Sequence, residues 1–322
     1  MRKRISTALP LIPVLLAFFG LLLFPAAASE AARSGLSLCG GVIIPSLFPF
    51  MVLGNLLSAL GLPYRLAKLS APLMQKLFGV SGMGSAAFFL GLVGGYPLGA
   101  VTVANMYAEG ALQKTEAERL LGFCDNSGPA FIIGVAGGAI FQSAAVGFFL
   151  YGVHILAAVL SGILLRSKSR APLVAPAPII VRSFSEAFTE SVKRAALTCI
   201  TVCGFVVFFG VLIGIWDKIG SLPLLMGELS RHFGFELHFS RALLTGFLEI
   251  GTGISALSGL APTRGSLALC AFILGWGGLS VQAQAAAVMQ EGGLSSAWHL
   301  MGKMLHGVLS ALITLLTYSL FF

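Results

Sequence analysis

At 322 residues the chain is 57% hydrophobic and only 10% charged, with a mean hydropathy of +0.94. Soluble domains carry about 25% charged residues, so this composition excludes an ordinary soluble protein and reads as an all-α polytopic membrane protein. The net charge of +8 does not point to nucleic acid. Most Lys and Arg sit in short loops beside apolar spans, where they set topology and meet anionic lipid, and no basic patch is interleaved with aromatics.

In chain order, residues 9–28 form a first apolar span behind Arg2, Lys3 and Arg4. This start has the look of a signal peptide. Before so many later spans it reads as an uncleaved first helix (1–35) with its N-terminus in the cytoplasm. Residues 36–60 return, and the loop 61–82, with Arg65, Lys68 and Lys76 and no acid, belongs inside; residues 62–80 read as an interfacial helix. Three apolar segments follow, at 83–107, 120–141 and 144–166, before a basic, Pro-containing linker at 167–194 that should also lie inside. Its last residues, 183–194, read as an amphipathic approach with Phe184 and Phe188 one turn apart.

Three crossings between two inside loops would put the linker outside, so one of those segments enters and leaves on the same side. The glycine-rich run Gly91 to Gly99 makes 83–107 the best re-entrant hairpin. The mixed-sign loop 108–119 leaves 120–141 open as the alternative. The second half repeats the plan with a long helix at 195–216, an interrupted segment at 240–260, a span at 265–290 broken near Gly277, and a plain helix at 297–321. Repeats at 36–166 and 195–322, each with three true crossings, would be oppositely oriented. That is an inverted-topology repeat with about seven transmembrane helices and two re-entrant hairpins, the plan of many secondary transporters.

Of the 12 acids, Asp125 and Glu249 are the ones inside apolar segments. A carboxylate there costs roughly 2.5–3.5 kcal/mol on insertion scales. Both are read as ion- or proton-coupling groups, for Na+ or H+, with capping of freed backbone N–H groups as the structural alternative. Asn126, Ser127 and Gly128, followed by Pro129, would open a half-helix whose N-terminus suits an anion. Gly277, Gly278 and Ser280 mirror it, and Gln282 and Gln284 add neutral donors and acceptors. Tyr96 and Pro97 at the hairpin tip, with Asn105 on its second arm, complete the expected substrate-binding set; packing is the alternative for Tyr96 and Pro97, and a cap for Asn105. His154 and His306 read as core histidines before proton relays, and His232, His238 and His299 carry no signal. The five cysteines form no CxxC pattern, so neither a disulfide framework nor a metal site is expected. No GxxxxGK[ST], GxSxG or HExxH occurs, so neither an ATP-driven pump, an enzyme nor a cofactor is expected.

Three stretches resemble a known family: Leu92-Val-Gly-Gly-Tyr-Pro-Leu-Gly-Ala100, Phe123-Cys-Asp-Asn-Ser-Gly-Pro-Ala-Phe-Ile-Ile-Gly134 and Gly277-Gly-Leu-Ser-Val-Gln-Ala-Gln284. They are similar to the YlbJ-type (SpoVV) sporulation integral membrane proteins, which carry two copies of the nucleoside-recognition Gate domain. That domain in turn resembles the core of concentrative nucleoside transporters. The resemblance implies a role in endospore formation, in the cell membrane or the forespore outer membrane, with dipicolinate as the anion delivered to the forespore. Gln282 stands where the family more often has His, which puts a proton relay at that position in doubt. The leading expectation is therefore a secondary transporter for a small anionic solute. A nucleoside/cation symporter and a non-transporting scaffold of sporulation are the alternatives. Membrane lipid is the other expected partner, and self-association into a homo-oligomer is left open.

Overall fold

The computed structural model describes residues 11–166 and 183–322; the expectations placed on Arg2 to Arg4 and on most of the basic linker lie outside these. Among the described residues the chain is helical throughout. Helix α1 (Leu11–Leu23) leads into α2 (Pro25–Leu38), a π-helical turn at Cys39–Ile43, and α3 (Ile44–Ala59). Pro25 starts α2 at its first turn, where a missing N–H costs nothing. The expected division into spans at 9–28 and 36–60 is corrected here, because Pro25–Ala59 is one continuous 35-residue rod. Ser29 to Gly35, with Glu30 and Arg33, reads as a polar loop. Its alanines favour helix and carry the turn through.

Helix α4 (Leu62–Phe78) is followed by a hairpin of α5 (Gly84–Gly94) and α6 (Leu98–Ala108). Eleven residues span about 16 Å, roughly half of the hydrocarbon thickness, so neither arm crosses and the chain reverses at Gly95-Tyr96-Pro97. Helix α7 (Lys114–Cys124) then breaks, and the chain resumes as a π-helix at Ala130–Ile140 before α8 (Ala144–Leu164).

The second half begins with α9 (Phe184–Lys218), another 35-residue rod. Ser183 caps it, accepting from Glu186 N while Glu186 returns a bond to the Ser183 N–H, so the amphipathic approach and the span are one helix with no boundary near 195. There follow α10 (Ser221–Phe233), a hairpin of α11 (Leu237–Leu248) and α12 (Ile250–Ser255), a second broken helix of α13 (Arg264–Trp276) and α14 (Gly278–Glu291), and α15 (Ala297–Phe321). Long rod, surface helix, hairpin, broken helix and plain helix thus occur twice in the same order. The surface helix α10, the counterpart of α4, is a member that the sequence reading left unassigned.

Five of these helices, Pro25–Ala59, Ala144–Leu164, Phe184–Lys218, Arg264–Glu291 and Ala297–Phe321, are long and apolar enough to cross a membrane. The chain is a multi-pass integral membrane protein. The two rods pack on each other, and the outer face of the second exposes Leu197, Ile200 and Phe208, as a lipid-facing surface does. The core lies where the hairpins meet the broken helices.

Candidate functional site

Each hairpin tip presses on the break of its own half, and glycine makes both contacts. A Cβ on Gly128 would lie 3.1 Å from Cα and N of Gly95. A Cβ on Gly278, itself at φ +81, would lie 3.0 Å from Ile250 N and 3.1 Å from Glu249 N. Backbone meets backbone at both places, with no room for a side chain. The halves also interlock. The Tyr96 hydroxyl, on the first hairpin, donates to the carbonyls of Leu274 (3.1 Å) and Gly275 (3.3 Å) in the second broken helix.

Glu249 is the turning residue of the second hairpin and is fully buried. Its backbone is extended (φ -145, ψ 121), and its carboxylate caps α12 by accepting from Gly251 N at 2.9 Å, Thr252 N at 2.6 Å and Thr252 Oγ1 at 2.8 Å. The capping alternative thus describes how this side chain is held, and the same residue also borders a cavity. That cavity, 40 Å³ in volume, is lined by Tyr96, Ser127, Gly128, Glu249 and Gln284, with Ile43 and Leu47 from the first rod and Val202 and Val206 from the second. It has room for about three water molecules, far below the roughly 300–1,000 Å³ of an open ligand pocket. A larger cavity of 670 Å³ shares Val206 of its lining. Glu30, Ser34, Asp217, Arg241 and Thr252 line that space, and Arg241 grips Asp217 with two bonds of 3.2 and 2.7 Å.

Asp125 is placed differently. It ends α7 in extended backbone (φ -91, ψ 108) and does not cap the segment that follows. Its Oδ1 accepts from Ala100 N at 3.3 Å and its Oδ2 faces His299 Nε2 at 3.0 Å, so it ties the hairpin and α15 to the break from behind, away from the cavity wall. Lys303 Nζ donates to the Asp125 carbonyl and lies 3.3 Å from His306 Nδ1. His306 Nε2 is 3.1 Å from the His154 carbonyl, and His154 Nε2 accepts from Ser127 N at 3.0 Å.

The cavity therefore gathers Tyr96, Ser127, Gly128, Glu249 and Gln284 of the expected set. Pro97, Asn126, Gly278, Ser280 and Gln282 are buried around it without lining it. Asn126 Nδ2 donates to Phe123 O at 2.9 Å and Gln282 Nε2 to Trp276 O at 2.8 Å, each closing its own break. Asn126 Oδ1, Gln282 Oε1 and Ser280 Oγ have no partner among the described residues. Asn105 is a correction. It is exposed and borders a separate cavity of 290 Å³ beside Asn55, Arg194 and Thr198, because α6 turns its polar end toward the two rods. His299 is a second, since it is buried and bonded to Asp125. Lys303, fully buried, was not singled out from the sequence. Its signal was present: a lone cation inside the apolar run 297–321, on one helix face with His299 and His306. Among the described residues no cluster of three or more His, Cys, Asp or Glu side chains could hold a metal ion.

Residues 41–177 match the family model for Gate, described as nucleoside recognition. That stretch is similar to a Gate domain. The matched stretch holds the first hairpin and the first break, that is Tyr96, Ser127 and Gly128. Over 319 residues the chain is 29% identical to the sporulation integral membrane protein YlbJ of Bacillus subtilis (strain 168), covering 91% of this chain and 78% of that protein. Among solved structures it is similar to CNTnw in an inward-facing substrate-bound state, with a TM-score of 0.52 at 16% identity, over 99% of this chain and 86% of the other. A variant of CNTnw in its intermediate 3 state also scores 0.52, at 18% identity, over 97% of this chain and 88% of that one. At such identities the likeness shows the fold alone.

Proposed function

We propose that this protein is a secondary carrier that binds one small solute between its two hairpin tips and moves it by alternating access. The observation that carries the reading is convergence: both hairpin tips, the first break and the helix after the second break border a single cavity, and a larger cavity shares Val206 of its lining. Carriers built from two repeats place their sites at such a junction of broken elements. Tyr96, Ser127 and Gln284 would contact the solute. Glu249 would bind or exclude a coupling cation beside it, and Asp125 would pass the state of the break to α15.

For the solute we propose a small aromatic carboxylate, with dipicolinate as the first candidate. The sporulation name of the Bacillus subtilis relative supports this choice and would place the carrier in a membrane of the sporulating cell. A nucleoside is the second reading, favoured by the nucleoside-recognition description of the Gate model. Ligand-induced thermal stabilisation of the purified protein distinguishes them. A solute at 100 times its dissociation constant stabilises by about 2.7 kcal/mol. Dipicolinate at that concentration should raise the melting temperature of the wild type, and that of Gln284→Leu about half as much. A shift with nucleosides and none with dipicolinate selects the second reading, and no shift with either removes the solute-site reading.

A further inference from the structure

Five titratable side chains converge behind the first break, and the solute site leaves most of them unused. His299, Lys303 and His306 follow one another at four and three residues on a single face of α15. They meet Asp125 of the break and His154 of α8. All five are at most 1% exposed. Their bonds fix the tautomers. His306 Nδ1 accepts from Lys303, so its Nε2–H donates to the His154 carbonyl. His154 Nε2 accepts from Ser127 N–H, so its proton sits on Nδ1, which has no partner among the described residues. His299 donates to the Asp125 carboxylate.

Lys303 Nζ sits where a free cation would bind. It is held by the carbonyl of Asp125, in unwound backbone, and by the face of the Tyr96 ring, 4.8 Å from its centroid. The Asp125 carboxylate supplies the compensating charge nearby. In carriers with broken helices, unwound carbonyls of this kind coordinate the coupling ion. Here an ammonium anchored to α15 fills the place. The other titratable groups around it are Cys124 beside the break, Tyr96 on the hairpin, and His154, His299 and His306. Helix α13 presents the carbonyls of Leu274 and Gly275, both taken up by Tyr96, while its Arg264 bonds Ser319.

We propose that Lys303 is a built-in coupling cation, so that this protein uses protons and needs no metal ion at the first break. The proposal rests on the carrier reading. In the step, one Nζ–H bond breaks and its electron pair stays on nitrogen. The proton passes to His306 Nδ1 and from there to water admitted when the site opens. The neutral amine that remains has one donor fewer and no charge to hold the Asp125 carbonyl. The break is then free to move with the hairpin that Tyr96 carries. Ser127 reports this movement to the cavity, since its N–H is bonded to the same network through His154.

The test uses the full-length protein in vesicles with labelled dipicolinate, an imposed pH difference, and either Na+ or choline as the bulk cation. For one proton per solute, each unit of pH difference supports about tenfold accumulation. Wild type is expected to show that response equally in Na+ and in choline. Lys303→Arg keeps a positive charge that does not leave, and its residual uptake should be the same with and without the pH difference. A Na+ requirement in wild type, or pH-driven accumulation in Lys303→Arg, overturns the proposal. Absence of any dipicolinate movement by wild type counts against the carrier reading alone. The proposal then stands or falls on NMR of purified wild type with lysine labelled at Cε, the Lys303 signal being assigned by its loss in Lys303→Arg. A Lys303 signal that titrates together with a histidine ring signal supports it, and a signal constant over the whole pH range overturns it.

Discussion

Replacing Glu249 by alanine separates what its carboxylate does for the fold from what it does for the solute. The side chain accepts three hydrogen bonds, from Gly251 N, Thr252 N and Thr252 Oγ1, at 2.9, 2.6 and 2.8 Å. Removing an N-cap costs about 1 kcal/mol, and leaving buried donors unpaired adds about 1–3 kcal/mol, so Glu249→Ala should lose about 2–4 kcal/mol. For a chain of this size that is a fall of about 3–6 °C in melting temperature. Glu249→Gln keeps one accepting oxygen and the side-chain volume, so its loss should be about half as large, while the charge facing the cavity is gone. The assay is the thermal unfolding of detergent-purified protein, followed by the fluorescence of its three tryptophans, with solute uptake measured beside it. Wild-type melting in Glu249→Ala would refute the capping geometry. Wild-type uptake by Glu249→Gln would refute a role for its charge.

Other positions give further expectations. Gly278→Ala puts a Cβ at φ +81 and 3.0 Å from Ile250 N; it should destabilise by about 1–3 kcal/mol, and melting at the wild-type temperature would contradict the tip-on-break contact. Tyr96→Phe removes the hydroxyl that bonds Leu274 O and Gly275 O, for a loss of about 1 kcal/mol and an altered apparent affinity for solute in the uptake assay. Arg241→Gln breaks a half-exposed pair with Asp217, and since such pairs contribute about 0–1 kcal/mol, its melting temperature should stay within about 2 °C of wild type. Asn105→Ala should leave solute affinity unchanged, because Asn105 borders a different cavity; a weakened affinity would place the solute elsewhere.

The breaks and reversals were legible because they set residues that resist helix inside apolar runs. Asp125 to Pro129, Gly95 to Pro97 and Gly277-Gly278 could be read one residue at a time. The rod Pro25–Ala59 was not legible. Glu30 and Arg33 have the composition of a loop, and continuing helix there depends on the packing of α2 against α9. The site was half legible for a related reason. Charge inside an apolar run marks both Asp125 and Glu249, but which one faces the cavity depends on how α15 packs behind the break. That packing turns Asp125 toward His299 and leaves Glu249 at the wall. Lys303 was not legible because its partner, the Asp125 carbonyl, lies 178 positions away in the chain.

The central claim is that the cavity between the hairpin tips is the solute site of a carrier. Time-resolved uptake of labelled dipicolinate, with a nucleoside in parallel, into vesicles holding purified wild type or Gln284→Leu tests it most directly. The account predicts saturable uptake of dipicolinate by wild type, above that of protein-free vesicles, with affinity weakened about tenfold by the loss of roughly 1.4 kcal/mol of hydrogen bonding at Gln284. Folded, monodisperse wild type that moves neither solute would contradict it and favour a membrane scaffold.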